Sequence, residues 1–487
     1  MAGADLTADV VVVGGGVGGC SAAVEAARAG ARVVVLEAGA EIGGNAARST
    51  GYLAFADTSM QRAAGIVDSA DDFLADMLAE VARQQERYGI LFDEALARRF
   101  AEESGAAYDF LVDLGVRFNR FIPRPRQHTI DRMVDTVDVT AYRTGFERVL
   151  ADLGVEILRY TRATQLRVGE DGAVSGVAAT TVHGHATNED IEIVATYAVV
   201  LAAGGYQANF DLRRRYQPAH LADTPYLGVD TDRGDGHVMG AAVGGDLINM
   251  TMIPPLIMVA SAFVEDAIAV NLSGHRFHDE AGPYDDRVAA LDQQPDRLAY
   301  YVYDDRAAQA KSLLIDQMPE RPHTGADLRE LAAAIGCDPT ALETAVGRWN
   351  DSVARGRDDE HGRVVLPKDG LGILTPPFHA SRMVVGINFP AGGFRVTTDM
   401  EVVDVYGHTI PGLLAVGDCV GGVSPAIGLG GLKITPAVTL GRVAGRVAAA
   451  GPPRAPRRAG GSLVDGVVQR EDRRMRIAVV DLDDPEE

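Results

Sequence analysis

A run of small residues near the start constrains this chain more than any other feature. Asp9-Val10-Val11-Val12-Val13 is a β-branched stretch of the kind found in buried parallel strands. Gly14-x-Gly16-x-x-Gly19 follows, and an alanine-rich segment from Cys20 to Arg28 then reads as a helix ended by Gly30. Arg32 to Leu36 is a second strand, closed by Glu37. Strand, glycine turn, helix, strand and acid make one βαβ unit. The glycines let the backbone approach a diphosphate, and the helix N-terminus around Gly16, Val17 and Gly18 attracts it through free N–H groups and the helix dipole. Glu37, with Ala38 beside it, is placed to hydrogen-bond a ribose. The spacing predicts dinucleotide binding on a Rossmann-like α/β domain.

Two further stretches separate FAD from a nicotinamide dinucleotide. Gly43-Gly44-Asn45, then Ser49 and Gly51, come just after the ribose acid, and Gly417-Asp418 lies far downstream. An FAD domain needs a late strand–helix junction, because the ribityl and phosphate groups extend back across the sheet. Ala203 and Gly204 end another strand and supply a further backbone wall, with Ala163, Gly431 and Leu432 as additional contacts. The helix beginning near Thr435 points its positive end at the flavin pyrimidine edge, where it stabilises reduced flavin, and Lys433 can add to this.

The other properties exclude several classes. The 487 residues are 47% hydrophobic and 23% charged, as in globular proteins. The net charge is −22, unsuited to nucleic acid or an anionic membrane as main partner. Cys20, Cys337 and Cys419 form no CxxC or Cys/His cluster, so neither a disulfide framework nor a metal site is expected. No leader is expected at the start. The longest apolar stretch, Leu247 to Val264, is interrupted by Asn249, Pro254, Pro255 and Ser261, so it is a poor membrane span and a cytoplasmic protein is expected.

Further strands are expected at 155–159, 164–168, 174–182, 190–195 and 197–202, the middle ones as a small antiparallel sheet laid on the parallel one. Residues 68–114 read as helical, and helices are expected at 304–314, 326–335 and 339–354. The division is an FAD-binding domain over 1–248, an inserted α+β cap over 249–385, the second part of the FAD domain over 386–450, and a tail over 451–487. Arg476 to Val480 is a candidate strand in that tail. His183 and His185 are expected in a solvated turn, and the Arg213-Arg214-Arg215 run on the surface.

The stretches VVVGGGVGG, LEAGAEIGGNAARSTG, LAAGGY, NLSGHRFHDEAGPY and PGLLAVGDCVGGVSPAIGLGG resemble the FAD-dependent fumarate reductase and ketosteroid dehydrogenase group, over roughly residues 8 to 450. The resemblance implies a substrate held between the cap and the flavin ring. In the fumarate reductase branch, histidines and arginines clamp two carboxylates and an arginine donates a proton. Here Tyr284 stands four residues after the glutamate of Arg276-Phe-His-Asp-Glu280. A histidine implied near Pro254-Pro255 is absent, and Asn388, Phe389 and Gly428 occupy other clamp positions. Two desolvated, unpaired carboxylates cost several kcal/mol, which argues against fumarate and succinate. Tyr284 instead resembles the tyrosine that takes part in proton removal in the ketosteroid branch. A tyrosine needs a nearby cation or hydroxyl for that work; His128 and His278 are candidates by residue type alone. The second tyrosine of that branch, which grips the ketone, is replaced by Ile427, leaving the backbone N–H groups of Gly430 and Gly431 as an oxyanion-type site.

The resulting expectation is an FAD-dependent oxidoreductase that dehydrogenates or reduces a C–C bond next to a carbonyl in a hydrophobic, largely neutral substrate. Ile427, Leu429, Phe389 and Pro255 line the substrate side. FAD is bound non-covalently, as no histidine follows Ser49 where a related branch attaches it. Electrons pass to or from a diffusible partner, as no CxxCH haem motif is present. The alternatives are a reductase of an unsaturated organic acid with another clamp, drawn from Arg276, Arg382 and Arg395, and a flavin-binding protein without turnover.

Overall fold

The computed structural model describes residues 6–181, 189–258, 263–316, 318, 320–387, 389–423, 429–452 and 455–459. At its centre is the βαβ unit. Leu6–Val13 pairs in parallel with Val33–Leu36 on one side and with Asp190–Leu201 on the other, Val12 lying opposite Val35 and Val200. Glu156–Leu158 extends the sheet beyond Val33–Leu36. Thr409–Ala415 and then the antiparallel Glu401–Val403 extend it beyond Asp190–Leu201. Residues more than 400 positions apart in sequence thus form one mixed sheet, in agreement with the α/β reading.

One difference from expectation concerns that long strand. The sequence suggests two strands at 190–195 and 197–202, but the structure has a single one, Asp190–Leu201. No glycine or proline interrupts it, so the chain stays extended while its partners change. Its first half pairs antiparallel with Val174–Thr181, which in turn pairs with Thr161–Val168. Its second half pairs in parallel with Thr409–Ala415. The antiparallel strands therefore continue the main sheet rather than lie on it.

Helices Val17–Arg28 and Ile434–Ala448 meet at their backbones. A Cβ added at Gly441 would stand 2.4 Å from Gly18 O, and one at Gly445 would stand 2.2 Å from Ala22 O. Only glycine allows this approach, and it aligns the two helices so that Val17 and Gly18 at one N-terminus and Ile434 and Ala437 at the other line the same cavity. The helical stretch expected over 68–114 is two helices, Ala70–Tyr88 and Glu94–Asp113. Gly89, with φ +61°, lies between them, and Asp93 caps the second by accepting from Leu96 N at 3.0 Å.

Residues 268–382 build a second, four-stranded antiparallel sheet in the order Ile268–Asn271, Ala299–Asp304, Phe378–Arg382, His323–Gly325. Leu328–Ile335 and Pro339–Arg355 match the helices expected there, capped by Asp327 and Asp338. The helix expected at 304–314 divides at Lys311 into Asp305–Ala310 and Ser312–Ile315. One buried cluster surrounds Phe263, Tyr301 and Tyr303, and another surrounds Trp349, Val302 and Leu331. Two short antiparallel pairs, Leu247–Ile248 with Gly393–Phe394 and Leu256–Ile257 with Val385–Gly386, join the outgoing and returning chain.

Two expectations about charge change. Arg276 is no candidate for a substrate clamp: its side chain is fully buried and bonded to Glu280 at 2.8 Å and to Asp358 at 3.1 Å. Arg363 completes the group at 3.1 Å from Glu280, and both guanidiniums lie against Trp349. Arg213, expected on the surface, is buried and donates to Leu221 O, because it occupies the inner face of helix Phe210–Tyr216. Among the described residues, no helix is long and apolar enough to cross a membrane, and no group of His, Cys, Asp or Glu is arranged to hold a metal ion. Arg476 to Val480, His183 and His185 lie outside the described residues.

Candidate active site

The glycine turn forms the floor of a cavity of about 640 Å³. Gly14 has φ +108°, and a Cβ there would stand 2.3 Å from Ala202 O. Gly15 N donates to Glu37 Oε2 at 2.9 Å, and Gly39 N donates to Glu37 Oε1 at 2.6 Å. Burial pushes the Glu37 carboxyl above the usual carboxylate range, while these two donors pull it back. Gly16 differs from its neighbours: a Cβ there would meet no protein atom within 4 Å. No side chain caps the helix that follows it. A vacant cradle at an uncapped helix N-terminus is what a diphosphate requires.

Most residues singled out from the sequence come together around this cavity. Gly14, Gly16, Val17, Gly18, Glu37, Ala38, Gly43, Gly44, Asn45 and Ser49 line one end, with Ala163, Ala203 and Gly204. Gly417, Asp418, Gly431 and Leu432 also line it. Tyr284, Phe389 and Leu429 contribute to the walls, joined by Tyr52, Leu256 and Ile257. These donors and glycines, drawn from stretches far apart in the sequence, fit FAD.

Other residues support the walls from behind. A Cβ at Gly19 would stand 2.1 Å from Gly14 O, so this glycine serves helix–strand contact. Gly51, with φ +76°, accepts from Thr136 Oγ1 and packs against Val139. Pro255 is not on the wall; Leu256 and Ile257 after it are. Gly430 N donates to Gln127 Oε1 at 2.9 Å, so this N–H is engaged within the protein rather than presented to a ketone. Of the two backbone donors expected for an oxyanion-type site, Gly431 alone lies on the cavity. Ile427, with Asn388 and Gly428, lies outside the described residues.

The surroundings of Tyr284 differ from expectation. His128 Nε2 donates to Gly430 O at 3.0 Å, and burial pulls its pKa down to about 4, so it is neutral. His278 is buried and likewise shifted down by burial. Two arginines stand next to the tyrosine. Arg287, one turn along the helix Tyr284–Asp292, lies 4.5 Å from the centre of the Tyr284 ring. Arg124 lies 5.8 Å from the centre of the Tyr52 ring and interacts electrostatically with both tyrosines. Both guanidiniums are buried, and no ion pair among the described residues includes either. The Tyr-x-x-Arg spacing on one helix is a legible signal for Arg287; Arg124 has no comparable mark.

Lys433 also lines the cavity. Its Nζ donates to Pro390 O at 2.7 Å and lies 4.7 Å from the centre of the Phe389 ring. Burial lowers its pKa to about 8, partly offset by Asp418. Sequence reasoning missed a second polar group on the wall, Asp232 with Tyr226. Tyr226 Oη donates to Asp232 Oδ2 at 2.6 Å, and Asn45 Nδ2 donates to the same oxygen at 2.7 Å.

Comparison with known proteins agrees with this geometry. Residues 9–434 match the family model described as FAD binding domain. The chain is 29% identical over 460 residues to the NADH:fumarate oxidoreductase of Klebsiella pneumoniae, covering 91% of this chain but only 47% of that protein, about half its length. Among solved structures, the open conformation of a flavocytochrome c3 fumarate reductase superimposes with a TM-score of 0.70 at 26% identity, covering 92% of this chain and 79% of that one. The 3-ketosteroid-Δ4-(5α)-dehydrogenase from Rhodococcus jostii RHA1, in complex with 4-androstene-3,17-dione, gives 0.65 at 25% identity, covering 92% and 98%. The chain belongs to the FAD binding domain family, and the proteins it is similar to include fumarate reductases and a ketosteroid dehydrogenase.

Proposed function

We propose that the protein catalyses dehydrogenation, or the reverse reduction, of a C–C bond next to a carbonyl in a hydrophobic, largely neutral substrate. The observation that carries this is that Tyr284 lines the cavity together with the apolar Leu256, Ile257, Phe389 and Leu429. None of Arg276, Arg382 and Arg395 lines that cavity. Arg382 is exposed and paired with Glu320 at 2.9 Å. A dicarboxylate entering here would lose hydration without a matching clamp.

FAD, when bound, supplies hydride transfer. Tyr284 moves the α proton, on the first turn of its helix with Arg287 against its ring. Gly431 N–H steadies the carbonyl oxygen, and the apolar walls exclude water. Electrons are exchanged with a diffusible carrier, and the protein works in the cytoplasm. Residues 249–385 act as the cap, joined to the flavin domain through the two short strand pairs.

Arg124 and Arg287, which lie against the rings of the wall residues Tyr52 and Tyr284 rather than on the wall itself, favour a second reading. Two buried guanidiniums without an ion pair among the described residues would suit a substrate with one carboxylate, as in a reductase of an unsaturated acid. Tyr284→Phe tests the proposed role. It should keep FAD and slow flavin reduction by about 100-fold or more, the effect of a lost acid/base group. An unchanged rate removes Tyr284 from the chemistry.

A further inference from the structure

Six carboxylates, Glu37, Glu41, Asp230, Asp232, Asp235 and Asp418, line the cavity that must receive a dianionic diphosphate, and they are balanced differently. Glu41 is paired with Arg143. Glu37 accepts two backbone N–H groups. Asp418 lies within the field of Lys433. Asp232 has neither: its Oδ2 accepts only from the neutral Tyr226 hydroxyl and the neutral Asn45 amide. Asn45 is held for this role, because its Oδ1 accepts from Val229 N at 2.9 Å, leaving Nδ2 for Asp232.

The rest of the Asp232 surroundings adds no cation in contact. Oδ1 faces the wall at Gly204, where a Cβ would stand 2.3 Å from it. Asp418 and Glu37 raise its proton affinity by repulsion. Asp235, nearby on the next helix, is neutralised by Arg162 at 2.8 Å, and Cys419 is a buried thiol. Asp232 itself is 4% exposed. Burial pushes its carboxyl up to about 7. A buried carboxylate that lacks a counter-ion is neutralised most readily by a proton, and two incoming negative charges strengthen that tendency.

We propose that FAD binding is coupled to uptake of one proton by the Asp232 carboxyl. The protonated group keeps its acceptor bonds to Tyr226 and Asn45 on Oδ2 and gains a donor on Oδ1. The linkage has a definite sign. Below the point where free Asp232 is already protonated, binding takes up no proton and affinity is flat. Above it, each binding event draws a proton from solvent, so affinity falls as pH rises.

The test is FAD titration of the apoprotein from pH 5.5 to 9, followed by flavin fluorescence, with calorimetry at pH 8 in two buffers of different ionisation enthalpy. The wild-type Kd should be constant below about pH 6.5 and rise up to about tenfold per unit above pH 7, with nearly one proton taken up at pH 8. Asp232→Asn should bind FAD with most of that slope and uptake gone. Any slope left in the variant near pH 8 reports Lys433, which titrates in the same range. Tyr226→Phe, which removes a donor to the carboxylate, should move the onset of the slope to higher pH. No proton uptake in the wild type, or equal uptake in Asp232→Asn, overturns the proposal.

Discussion

Gly16 and Gly19 belong to one motif but should respond to substitution in opposite ways. Gly16 has φ −67° and ψ 171°, a conformation open to any residue, and a Cβ there meets no protein atom. Gly16→Val should therefore change the stability of the apoprotein by no more than about 0.5 kcal/mol. The valine would fill the space where the diphosphate must approach. FAD would no longer raise the melting temperature, a loss of about 2.7 kcal/mol of ligand stabilisation at a hundredfold excess over Kd. Gly19→Ala places a methyl 2.1 Å from Gly14 O and 3.0 Å from Ala202 Cβ. Neither neighbour is the end of a flexible side chain, so the helix must move. Overpacking of this kind costs about 1–3 kcal/mol, and more where backbone must shift. Thermal melts of both variants with and without FAD give the comparison. If Gly16→Val retains wild-type FAD affinity, or apo Gly19→Ala melts with the wild type, the assignment of one glycine to the ligand and the other to packing is wrong.

Other substitutions test other parts of the site. Lys433→Met should lower the flavin midpoint potential, measured by dye-coupled titration, because a positive charge is lost beside the reduced cofactor. In the wild type the same charge is present below about pH 8 and fades above it, so the difference between the two proteins should shrink at pH 9. Arg132→Met should destabilise the fold by about 3–5 kcal/mol in urea unfolding, because it strands the buried partners Asp68 and Asp76. Gln127→Leu, which leaves Gly430 N without its acceptor, should raise the KM for substrate more than it lowers kcat, since the group shapes a wall and touches no reacting atom.

Local patterns made much of the fold legible. Val10 to Val13, the glycine turn and Glu37 are contiguous, and each follows from backbone requirements readable within 30 residues. The helix pair that closes the site also left a mark, because Gly441 and Gly445 are spaced one turn apart. What remained hidden depends on distant partners. Asp232 is an ordinary loop residue until Asn45, 187 positions away, donates to it. The Gly430 N–H looked available because its acceptor, Gln127, lies 303 positions away. Arg276 shows a milder form of the limit: its partner Glu280 is four residues on, but Asp358, which completes its burial, lies 82 positions away.

Anaerobic reduction of the bound flavin tests the central claim most directly. The purified yellow protein is mixed with 3-ketosteroids, other cyclic ketones and small dicarboxylates, and its absorbance is followed. In the reductive direction, the chemically reduced protein is mixed with the corresponding unsaturated compounds. The account predicts that a neutral ketone, or its unsaturated counterpart, exchanges electrons with the flavin, while succinate and fumarate do not. Efficient exchange with the dicarboxylates and none with the ketones would contradict it.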